Sequence, residues 1–153
     1  MSAIAFKNGD IYEVSEHTDS HEHLVAALGL KDDLFLRDWI RVEFLPGENG
    51  LADASGYKLR VDEHTAPEWW EDARPSVLAK LQARIHRMIV MDKRECLLGK
   101  CWILAGKAEA KLIVSARVVA MLGSSQVGEM WDSSQVGEMW DSSQVGKMWD
   151  SSQ

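Results

Sequence analysis

The sequence predicts an α+β head followed by a short, β-helix-like solenoid of nine-residue repeats, on three observations. First, the stretch from Ser124 to Asp132, Ser-Ser-Gln-Val-Gly-Glu-Met-Trp-Asp, recurs unchanged at 133–141 and again at 142–150, where only Lys147 replaces the glutamate. Second, the region upstream mixes short alternating runs with one long helical stripe. Third, 153 residues at 46% hydrophobic and net charge -7 can bury a core without disulfides, since a chain of ~150 residues hides roughly two-thirds of its unfolded surface.

The head, 1–95, begins with two runs, 3–6 and 11–14, flanking Asn8-Gly9, a two-residue hairpin signal. Ser20 is expected to cap a short helix over 21–28 that Gly29 stops. Residues 39–44 alternate as a half-buried strand, 46–56 form a polar loop, and 57–62 make a second strand with Tyr57, Leu59 and Val61 on one face. Thr65-Ala66-Pro67-Glu68 has the form of a capping box, so a short helix carrying Trp69 and Trp70 is expected to start there. Pro75 then breaks it or opens the main helix over 76–91, on which Leu78, Leu81, Ile85 and Met88 mark the apolar stripe, joined by Val77 and Ile89.

Residues 96–105 are expected to cover the first coil, and 106–153 to form the solenoid. The repeat extends upstream in worn form: 115–123 keeps Ser115, Val118 and Met121 in their slots, while 106–114 puts Leu112 in the methionine slot and Glu109 in the valine slot. Nine residues are too few for a helical repeat and too short to enclose two layers of side chains at roughly 3.3 Å per residue. Two repeats per coil are therefore expected. That register sets Glu129 beside Lys147 and Glu138 beside Ala120, whereas direct stacking of successive units would set glutamate on glutamate. Valines and methionines would stack in ladders that no single unit can bury.

Two strands, a Pro-x-Trp turn at Pro67-Glu68-Trp69, an amphipathic helix and a solenoid of near-identical short repeats together resemble a loose group of uncharacterised bacterial and phage proteins. The resemblance covers most of the chain and implies a domain order. It implies no reaction, and it points to a host protein, such as a defence component blocked by occlusion, as a partner.

Composition narrows the function. A pI of about 5.2 argues against a generic nucleic-acid binder. No apolar run approaches the ~20 residues of a membrane span, and the N-terminus lacks a basic-then-apolar leader. Two cysteines form no disulfide framework, so a reduced cytoplasmic setting, in a bacterial or phage-infected cell, is expected. Cys96 and Cys101 fit no redox or zinc spacing and read as buried small hydrophobes. His17, His21 and His23 cluster near Glu16, Asp19 and Glu22, but their spacing is not that of ligands on one helix face, so a solvated polar segment is expected. His64 and His86 carry no signal. No phosphate loop or nucleophile arrangement stands out, so no enzyme, cofactor or metal is expected.

Charge is uneven. Residues 1–75 hold 16 acids and 7 bases, while 76–111 hold 3 acids and 8 bases. Lys80, Arg84 and Arg87 line one face of the main helix, either as an anion-binding stripe or as a solvated face offset by acids of the first sheet. Trp131, Trp140 and Trp149 follow the methionine slot and should point outward, with Trp131 and Trp149 on one face and Trp140 opposite beside Leu122. Those rings either lie on neighbouring stems, stack a nucleotide or glycan, or serve self-association. The repeats reach Gln153 mid-unit without a polar cap, which favours a homo-oligomer joined through Met130, Trp131, Trp140, Met148 and Trp149.

Overall fold

The Asn8-Gly9 turn closes a hairpin of β1 (Ser2–Phe6) and β2 (Ile11–Glu13), which pair antiparallel. In the computed structural model, which describes residues 1–13, 20–31, 37–99 and 101–153, the loop is longer than the expected two-residue turn. Phe6 N–H donates to Asp10 O at 2.9 Å, and Gly9 N–H donates to Phe6 O at 2.8 Å. Lys7, Asn8 and Gly9 thus form the loop, with Gly9 left-handed at φ +79°, the usual last residue of a three-residue hairpin connection.

Contacts divide the chain into two units, Met1–Arg84 and Ile85–Gln153. In the first, β1 also pairs with β3 (Trp39–Leu45), and β3 with β4 (Lys58–Val61), giving an antiparallel sheet of order β2-β1-β3-β4. Alternation on β3 buries Ile40, Val42 and Phe44 fully, while Arg41 and Glu43 take the other face. Helix α1 (His21–Ala27) sets Leu24 against Ile4 and Trp39. It ends where expected: Gly29 is left-handed at φ +60°, and Leu30 N–H reaches back to Val25 O at 3.0 Å. Ser20 flanks the helix but makes no side-chain cap, because its hydroxyl bonds Glu22 instead.

The two expected helices are one. Helix α2 runs unbroken over Trp70–Met88 with Pro75 inside it. Its start is Trp70, whose N–H bonds Pro67 O at 2.9 Å, and not Thr65. Pro75 lies in the second turn and removes one intrahelical hydrogen bond near the end, a cost that burial of Trp70 and Ala73 ahead of it and Val77, Leu81, Ile85 and Met88 behind it can offset. The helix also stops earlier than expected, because Ile89–Val90 enter a sheet as β5.

The second unit is a β-solenoid of about three turns over 89–148, beginning upstream of Gly106. Its strands are β5 (Ile89–Val90), β6 (Lys93–Leu98), β7 (Cys101–Leu104), β8 (Glu109–Val114), β9 (Arg117–Met121), β10 (Gln126–Trp131), β11 (Gln135–Met139) and β12 (Gln144–Met148). They fall alternately into two parallel sheets, β12-β10-β8-β6 and β11-β9-β7-β5. Val127 pairs with Val145 and Met130 with Met148, while Val136 pairs with Val118 and Met139 with Met121. Val118, Met121, Val127 and Met130 share one core with Ala110 and Ile113.

The worn unit at 106–114 is slipped by one position. Ala110 and Ile113, not Glu109 and Leu112, pair with Val127 and Met130. The reason is the corner after β8, where only Val114, Ser115 and Ala116 separate Ile113 from Arg117. The corners themselves are built by left-handed residues, Ser115, Asp132, Asp141 and Asp150, with φ between 47° and 59°. Asp132 accepts from Ser115 Oγ and Asp141 from Gly123 N–H, both at 3.1 Å. Each aspartate so fastens its corner to an earlier one, which offsets part of the backbone cost. Glycine follows each repeat valine because a Cβ at Gly128 would lie 2.7 Å from Lys111 O on the adjoining strand.

Candidate functional site

The residues expected to carry function separate into paired, buried and exposed groups. Lys80 donates to Gly9 O and to Asp10 Oδ1, each at 2.7 Å, and Arg84 Nε lies 2.5 Å from Glu13 Oε1. The basic stripe is therefore met by acids of the first hairpin, and an anion at Lys80 or Arg84 would have to displace them. Arg87 is exposed on the same helix.

Those pairs tie the hairpin to α2 in a pH-dependent way. The hydrogen bond from Lys80, then its charge, hold the Asp10 carboxyl below its ordinary 3.8. Ser20 does the same for Glu22, and Ser55 and Asn49 for Asp53. A depressed carboxyl contributes stability above its unfolded value and loses it as pH falls through the folded one. The thermal midpoint is expected to hold at neutral pH and to fall below about pH 4. A flat midpoint from pH 6 to about 3 would contradict these ties.

The histidine segment is not solvated throughout. His17 lies outside the described residues and His23 is exposed, but His21 is buried. Its Nδ1 lies 3.0 Å from Asp62 Oδ2 and its Nε2 3.0 Å from Val42 O. Both contacts are hydrogen bonds only when each nitrogen carries a proton. Buried between these two oxygens, His21 joins α1 to the sheet. Among the described residues, no group of three or more His, Cys, Asp or Glu side chains is placed to hold a metal ion. The expectation of buried cysteines is overturned: Cys96 is exposed and Cys101 half-buried, because Cys96 stands in the column of Leu112, Glu129 and Lys147 while its neighbour Leu97 takes the core column with Ile113 and Met130.

A second buried charge cluster had no sequence signal. Glu63 accepts from Arg37 Nη2 at 2.5 Å and from Arg41 N–H and Nη1 at 3.3 Å. Both guanidinium groups lie against Trp39, at 4.7 and 5.2 Å from the ring. Its partners are far apart in sequence, so no local spacing marks it.

The repeat face is where exposed apolar surface collects. Trp131 and Trp149 stack at 5.4 Å and 27°. Lys147 Nζ lies 3.8 Å from Glu129 Oε1 and 5.9 Å from the centre of Trp149. Trp140 is 56% exposed, with Nε1 donating to Glu138. Met130, expected at an interface, is instead fully buried inside the solenoid, because Met148 pairs beside it. Met139 and Met148, in the same columns one strand further out, are 45% and 46% exposed. The outer face of the β8-β10-β12 sheet holds an open groove of about 530 Å³ lined by Lys111, Gln126, Gly128, Glu129, Gln144 and Gly146, among others.

The fold thus defines the chain as a small α/β unit joined to a β-solenoid of short repeats. No family model, no curated protein and no solved structure matches it. Among the described residues, no helix is long and apolar enough to cross a membrane.

Proposed function

We propose that this chain is a non-enzymatic protein-binding protein that self-associates through its solenoid, and that two nine-residue repeats make one coil. The pairing of Val127 with Val145 and the Glu129–Lys147 contact support that repeat count. One observation carries the self-association reading: methionines that are sealed at 121 and 130 are open at 139 and 148, beside the exposed Trp140 and Trp149. Clustered exposed apolar side chains mark association surfaces. The acidic first unit suits a basic partner surface. The resemblance to phage proteins makes a host defence protein, met in the cytoplasm, the partner class to test. Light scattering of the full chain at micromolar concentration is expected to report a multimer. A monomer there overturns the reading.

The groove on the outer sheet face favours a second reading, a binder of a nucleotide or glycan. Either ligand added during thermal melting would raise the midpoint of such a binder and leave a purely protein-binding chain unchanged.

A further inference from the structure

We infer that the groove on the outer face of the β8-β10-β12 sheet binds a neutral, linear, β-linked oligosaccharide, one sugar ring to each rung of the solenoid. The inference rests on the ligand-binding reading above and names the ligand class that the groove's shape, charge and period select.

Glycines make the groove. On this face Lys111, Gly128 and Gly146 follow one another from rung to rung, each between paired neighbours on β8, β10 and β12. A Cβ at Gly128 would lie 2.7 Å from Lys111 O, and one at Gly146 would lie 2.6 Å from Gly128 O, so the parallel stacking itself forbids a side chain there. The result is a floor of bare backbone, with Glu109, Gln126 and Gln144 along one wall and Glu129 on the other. The groove lies along the side of the stack, so a further rung at either end would lengthen it and cover none of it.

Charge decides against an anion. Lys93 lies 2.5 Å from Glu109, Lys111 2.8 Å from Glu95 and Lys147 3.8 Å from Glu129. Each lysine of this face thus meets a carboxylate, and the pairs sum to zero. A phosphate would have to break such a pair and then sit beside the carboxylate it displaced. What the groove leaves open to a ligand are the exposed amides of Gln126 and Gln144, which no side chain hydrogen-bonds among the described residues. Each amide offers two N–H donors and a carbonyl acceptor, the set that pairs with neighbouring sugar hydroxyls.

Period then selects the polymer. Rungs of a stacked sheet lie about 4.8 Å apart, so like groups recur along the wall at that step. The side chains of an extended peptide return to one face roughly every 6.6 Å, and stacked nucleotides recur every ~3.4 Å. Both drift out of register within the span of the groove. A pyranose chain joined through equatorial oxygens advances by close to one rung per ring. Successive rings therefore meet Glu109, Gln126 and Gln144 in the same way.

The test is isothermal titration calorimetry of the full chain with four β-1,4-linked probes: cellopentaose, xylopentaose, mannopentaose and chitopentaose. Glucose, the α-linked maltopentaose and ATP serve as comparators. At least one β-linked probe is expected to bind, and none of the comparators. Gln126→Ala and Gln144→Ala should each weaken that binding at least roughly tenfold, with circular dichroism melting to verify folding. Trp140→Ser, just beyond β11 in the other sheet, should leave it unchanged. Silence from all four β-linked probes overturns the inference, and silence from ATP as well takes the ligand-binding reading with it. Binding of ATP or maltopentaose in their place overturns the inference and leaves that reading standing. Binding of a β-linked probe that both glutamine variants keep at full strength places the sugar outside the groove and equally overturns the inference.

Discussion

Met130→Ala is expected to destabilise the solenoid by about 2–5 kcal/mol, the range for truncating a buried methionine to alanine. The same change at Met148 is expected to cost less than about 1 kcal/mol in the isolated chain, in keeping with a side chain that is mostly outside a packed core. The two residues occupy nine-residue units that differ only at Glu129 and Lys147, and they pair with one another, so composition and local propensity are closely matched. Burial is the main difference: Met130 is fully enclosed with Ile113 and Val127, and Met148 is 46% exposed. Urea unfolding of both variants measures the contrast. Equal losses would mean that the repeats do not stack as parallel rungs.

The same contrast shows how far the amino-acid sequence could be read. Letter-for-letter repetition announced the solenoid, and the charge change at Lys147 pointed to its pairing with Glu129, because both are consequences of a fixed period. Where the period wears out, the reading slipped. Ala110 and Ile113 fill the columns because the corner at Val114-Ser115-Ala116 is one residue shorter than the later ones, and a missing residue leaves no mark in composition. The solenoid's first strands, Ile89–Val90 and Lys93–Leu98, match the repeat at none of the positions they pair with. The local cost of Pro75 predicts a boundary, yet the buried stripe from Ala73 to Met88 outweighs one lost hydrogen bond. In the first unit, the presence of the hairpin and the end of α1 are legible because glycine conformations at Gly9 and Gly29 are local. The partners of His21 and Glu63 were not, because Asp62 and Arg37 come to them only through the sheet.

Glu63→Ala should cost about 3–5 kcal/mol, the range for breaking a buried ion pair by removing one partner. Its carboxylate is 9% exposed and holds Arg37, itself 5% exposed, through Oε2. Its other oxygen takes both the backbone N–H and the guanidinium of Arg41. Alanine removes these acceptors, so the buried Arg37 guanidinium and that of Arg41, both packed beside Trp39, lose part of the compensation for their desolvation. Trp69, whose indole N–H donates to Arg37 O at 3.1 Å, ties the same segment to the entry of α2, so the loss should extend to helix onset. Glu63→Gln keeps one carbonyl acceptor but turns an amide N–H toward a guanidinium, and should fall between wild type and Glu63→Ala. Chemical denaturation orders the three. A loss below about 1 kcal/mol for Glu63→Ala, the range of exposed pairs, would show that solvent or other partners already satisfy both arginines and that the cluster contributes little to holding β3 against the residues that follow β4.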